Sequence, residues 1–157
     1  MILNDSVFGE LEYEYEYGWV KGTTIRFLGK ETEITLMIDG EEDGNFDEEQ
    51  YVAYTSLMQN WEHLQQNFLQ SILDYYKQRR HKLGYDIEVN ENYPLVETMD
   101  QILEMIDLDG IVVPYGDLCE GRDIRFTLNC TWDTENGLGI RMLNEIVTEV
   151  DYQDIAI

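Results

Sequence analysis

The sequence predicts an α+β domain: an N-terminal antiparallel meander, one long and one short helix, and a C-terminal antiparallel β-meander. Three observations predict it. Apolar and charged residues alternate from Glu10 to Tyr17, apolar residues recur at steps of three and four from Tyr54 to Tyr76, and short alternating runs return after Ile111. A period of two belongs to strands and a period near 3.6 to helices.

In the first run Leu11, Tyr13, Tyr15 and Tyr17 face one way and Glu10, Glu12, Glu14 and Glu16 the other. One row is expected in a core and the other in water, where the carboxylates also blunt a sheet edge. Gly18 is expected to end this strand. Trp19 and Val20, then Ile25 to Leu28, then Ile34 to Ile38 read as further short strands separated by Gly22 and Gly29.

The long helix opens at Asp47, with Gln50 three residues on in the capping-box position. Tyr54, Leu57, Met58, Trp61, Leu64, Phe68, Ile72, Leu73 and Tyr76 form its apolar stripe, and Gly84 stops it after Leu83. Lys77, Arg79, Arg80 and Lys82 gather beside His81 in the last turns, where cations meet the negative end of the helix dipole. Tyr85 to Val89 reads as a short strand. Thr98 caps a second helix reaching Ile106. Ile111 to Tyr115, Arg122 to Trp132, Gly139 to Leu143, Ile146 to Val150 and a terminal Tyr152 to Ile157 complete the β pattern. No linker or repeat divides the chain, so residues 1–157 are expected to form a single domain.

Composition narrows the function. The 157 residues carry 33 acids against 10 Lys plus Arg, a formal net charge of -23. Such a field repels phosphate backbones and anionic headgroups and attracts basic partners. No nucleic acid and no membrane is therefore expected as a partner, and a basic protein is. Without a basic-then-apolar leader or an apolar stretch near membrane length, the chain is expected to be cytoplasmic. Two cysteines, Cys119 and Cys130, are too few for a disulfide framework, and Cys130 reads as a small buried hydrophobe.

No complete catalytic motif occurs, and no catalytic residue is assigned. His63 and His81 lie five helical turns apart. Asp107, Asp109, Asp117, Glu120 and Asp123 form an acidic region in which paired carboxylates could serve as acid and base. Asp39, Glu41, Asp43, Asn45 and Asp47 match the oxygen positions of a calcium loop, with Gly44 at its turn. Gln50 occupies the place of the bidentate Glu, and a strand precedes the loop. Two readings stand: weak calcium binding with no other cofactor, or an acidic turn feeding an N-capped helix.

The segment Trp132-Asp-Thr-Glu135-Asn136-Gly-Leu-Gly-Ile140, followed by Tyr152-Gln153-Asp154-Ile155-Ala156, resembles the C-terminal signature of an uncharacterised family of small bacterial cytoplasmic domains of unknown function. Asp151 stands where that pattern has Gly. The resemblance implies a single-domain protein, similar in some relatives to immunity-type proteins encoded beside toxins, and it transfers no catalytic residue. Trp132, Glu135, Asn136, Tyr152, Gln153 and Asp154 are the candidate binding residues. The expected function is a non-catalytic acidic binding protein, the alternative a small metal-dependent or carboxylate-based enzyme.

Overall fold

In the computed structural model, which describes Met1–Ile157, eight strands form one sheet in the order in which the chain makes them. β1 (Ile2–Asp5), β2 (Gly9–Glu14), β3 (Gly18–Phe27) and β4 (Lys30–Ile38) are the first antiparallel meander; β5 (Ile106–Val113), β6 (Asp123–Cys130), β7 (Leu138–Leu143) and β8 (Ile146–Asp151) are the second. The two meanders join side by side through a parallel pair, with Thr35 to Ile38 of β4 in register with Gly110 to Val113 of β5. Parallel neighbours need a long crossover. α1 (Glu48–Lys82) and α2 (Met99–Leu103) supply it on one face of the sheet, and the chain closes with a short 3-10 helix, Gln153–Ala156. The α+β reading holds, with the two expected meanders fused into a single sheet.

α1 runs for 35 residues, about 52 Å at ~1.5 Å per residue. Its N-terminus is closed as the sequence suggests: the Asp47 amide donates to Gln50 Oε1 at 2.8 Å. Its C-terminus is stopped at Gly84, whose φ of 83° suits glycine and few other residues. Along the buried stripe Trp61 stacks on Phe27 and Phe126, and Phe68 meets all three rings edge-on. Phe8 packs with Phe46, Tyr51 and Tyr54 toward the helix start, and Tyr76 packs with Trp132 and Tyr93 toward its end. These belong to one continuous cluster spanning both meanders, so neither half has a core of its own.

Several local expectations are corrected. The β2 strand stops at Glu14, and Tyr15 and Tyr17 lie in the turn before Gly18, with Tyr15 90% exposed; alternation ran on past the strand because a turn can carry the same residues. Gly18 begins β3 instead of ending β2. Gly22 does not break a strand but sits inside β3, while Gly29 is the hairpin turn between β3 and β4. Residues 85–87 form a turn, 88 a bend, and no strand follows through 89, leaving Ile87 and Val89 exposed. α2 is five residues long because Ile106 already belongs to β5. β1 had no alternation long enough to announce it. The terminal segment is a 3-10 helix, not a strand.

Cys130 is buried as expected, and burial pushes its thiol up to about 11. Cys119 is only half-buried. A thiol-specific reagent is expected to modify one cysteine per native chain quickly, with Cys119→Ser removing that phase; two fast thiols would contradict this placement.

Candidate binding surface

Strand register divides the sheet into two unlike faces. Residues directly opposite each other on antiparallel neighbours share a face. The Trp19–Ile38, Thr23–Ile34, Ile111–Phe126 and Phe126–Ile140 set faces α1. The Glu12–Val20–Met37 row and the Gly22–Thr35–Gly110–Thr127 row face away from it. On that far side the 3-10 helix covers the β6–β7 end. The Gln153 side chain donates to the Leu128 carbonyl at 3.3 Å, its amide donates to the Asn136 carbonyl at 3.0 Å, and Ala156 is fully buried. A Cβ on Gly139 would lie 2.7 Å from the Tyr152 carbonyl oxygen, so glycine lets the closing helix sit down on the sheet.

The β2–β5 part of this face has no such cover. Three shallow depressions of about 350, 440 and 440 Å³ lie on it. They share Val20, Gly22, Thr35 and Asp109 among their linings and so make one trough. Val20, Thr35 and Met37 form its floor. Glu10, Glu12 and Glu14 from β2 and Glu33 from β4 flank it. Asp109 enters at a bulge: the β5–β6 register slips between Leu108 and Gly110 and leaves Asp109 without a cross-strand partner. Of the cations, Lys21 lines the depression beside Glu10 and Glu12, Arg26 lies on this face opposite Glu31, and Arg125 and Arg141 lie on it further along, paired with Asp123 and Glu149. The row of glutamates expected on a solvated face is thus solvated, and it borders a depression.

The sequence-predicted binding residues do not share one groove. Trp132 is buried on the helix side, its ring 4.8 Å from that of Tyr76. Tyr152 lies under the Arg79 guanidinium, which also donates to its hydroxyl. Asn136 is tied to Asp133 in the turn, and Glu135 and Asp154 are exposed. Gln153 alone reaches the trough, at its C-terminal rim. Sequence reasoning missed Thr35 and Met37, and it placed Asp109 in an acidic cluster with Asp107 and Asp123 instead of on a trough with Gly22. Gly22, a glycine within a run of strand formers, carried a signal too, and it was assigned to a break.

The acidic 39–50 turn is built from interactions with its own chain. Asp39 is largely buried, which raises its carboxyl above the usual range against the pull of the Tyr115 amide and Arg125. The Glu41 carbonyl accepts from Trp19 Nε1 at 2.8 Å, and its carboxylate accepts from the Tyr115 hydroxyl at 3.1 Å. Asp43 accepts from the Asn45 amide at 3.1 Å, and Asp47 accepts from the Gly116 amide at 3.1 Å. No three His, Cys, Asp or Glu side chains are grouped so as to hold a metal ion. In the 107–123 region Asp123 is buried against Arg125 at 3.1 Å, away from Asp109 on the trough. At the end of α1 the basic cluster is engaged locally: Arg80 pairs with Asp86 at 2.6 Å and His81 meets the same carboxylate at 2.5 Å.

Fold and surface together define an α+β domain with a helix-covered sheet face and an acidic, partly uncovered one. The chain belongs to the family described as a domain of unknown function, DUF6985, whose model matches residues 7–157. No curated protein and no solved structure matches it. No helix is long and apolar enough to cross a membrane.

Proposed function

We propose that this protein is a non-catalytic binding protein that captures a basic protein partner through its acidic surface. One observation carries the reading. Of the 33 acidic residues, Asp86, Asp123, Glu145 and Glu149 are the ones that form ion pairs with basic side chains, so the surplus charge is not spent within the fold. Holding so many unpaired carboxylates close together opposes compaction, and a cationic partner relieves that repulsion while being steered in by it.

An immunity-type role fits this chemistry. A nuclease toxin must present Lys and Arg to phosphates, and an acidic protein lying over them blocks the substrate site. The test is recovery of a basic protein from the producing cells at low salt, identified by mass spectrometry and released as salt rises. Recovery of neutral or acidic proteins alone, retained at high salt, would overturn the reading.

A further inference from the structure

We infer that the uncovered trough on the β2–β5 sheet face receives an extended Lys/Arg-bearing segment of the partner protein, whose backbone passes closely over Gly22. This rests on the binding reading above and assigns it a place.

The observation that carries it is what Gly22 lacks. Of the chain's twelve glycines, every other one has an internal reason. Seven sit at positive φ, where side chains are strained. Gly40, Gly110, Gly116 and Gly139 would each place a Cβ within 3.0 Å of a neighbouring atom. Gly22 has neither: its φ is ordinary for a strand, and a Cβ built on it meets nothing within 4 Å. A glycine inside a strand costs stability relative to a residue with a side chain, and folding does not ask for one here. A strand glycine marks a bulge, a tight bend or a place where a ligand or another backbone comes near, and the unbroken β3–β4 register through Gly22 rules out a bulge between these strands. Gly22 lies where two of the three depressions meet.

Charge selects the occupant. Glu10, Glu12, Glu14, Glu33 and Asp109 border the trough against one lining cation, Lys21; Arg26 lies opposite Glu31 toward the hairpin end, and Arg125 on β6 is paired with Asp123. A second copy would set these rows of carboxylates against each other. A segment carrying Lys or Arg at alternate positions would instead aim its cations at the flanking glutamates and leave smaller residues over Val20, Thr35 and Met37.

The test uses the intact protein, isotope-labelled for amide NMR, and a short peptide alternating lysine and threonine. Shifts are expected over Val20 to Thr24, Glu33 to Met37 and Asp109. Gly22→Ala is expected to melt at the same temperature or higher, yet to bind the peptide on the order of tenfold more weakly, the effect of one methyl in a close contact. Equal affinity of Gly22→Ala and wild type, or shifts centred on the 39–49 turn, would overturn the assignment while leaving the binding function in place. Self-association abolished by Gly22→Ala would give the face to a second copy and also overturn it. Absence of any peptide binding at low salt would remove the charge-based function as well.

Discussion

Phe68→Ala is expected to destabilise the domain by about 3–5 kcal/mol, read as a fall in the midpoint of urea unfolding with little change in slope. Phe68 is fully buried, and its ring centroid lies 4.8 Å from Phe126, 5.6 Å from Trp61 and 5.8 Å from Phe27. Those three rings come from β6, α1 and β3, so Phe68 is where the helix fastens the first meander to the second. Removing it deletes buried apolar area and leaves a cavity walled by large flat rings, which cannot collapse without moving a strand. A loss below about 1 kcal/mol would mean that the helix does not pack against the sheet in this way.

Gln50→Leu is expected to cost about 3 kcal/mol, although it replaces a buried polar side chain by an apolar one of similar size. Gln50 is 1% exposed. Its Nε2 donates to the carbonyl of Asp39, just past the end of β4, at 2.8 Å and to that of Val113, the last residue of β5, at 3.3 Å, while its Oε1 accepts from the Asp47 amide. Leucine would leave the Asp39 carbonyl and the Asp47 amide without these partners, and unsatisfied buried backbone groups cost more than the lost bonds alone. The measurement is again urea unfolding, with Gln50→Glu as the companion variant. Glutamate keeps the acceptor for Asp47 and loses the donor to the strand ends, so it is expected to destabilise as well. Stability unchanged in both variants would contradict the bridging role.

The sequence made Gln50 legible as half of a capping box because that contact is local, within three residues. Its bond to Val113 was not legible, since it depends on β4 and β5 lying side by side after a crossover of more than sixty residues. The same division holds elsewhere. The stripe from Leu57 to Tyr76 announced α1, and Gly84 announced its end, because both are written at helical spacing. Tyr15 and Tyr17 misled, as alternation does not reveal where pairing stops. Trp132 and Tyr152 were read together on the strength of a shared signature, yet one lies in the core beneath α1 and the other against Arg79 near the surface. The trough escaped because it is assembled by register from four strands, and a strand sequence does not say which face a helix will cover. Gly22 looked like a break for the same reason: its meaning lies in the space above it.

Recognition by this domain rests on charge. Its most direct test is the dissociation constant of the lysine–threonine peptide, measured by calorimetry at low and at physiological salt. Exposed carboxylates bind cations less well once ions screen them over about 8–10 Å, so the affinity is expected to fall on the order of tenfold across that range. An affinity that holds as salt rises would contradict the claim that the acidic surface is what binds.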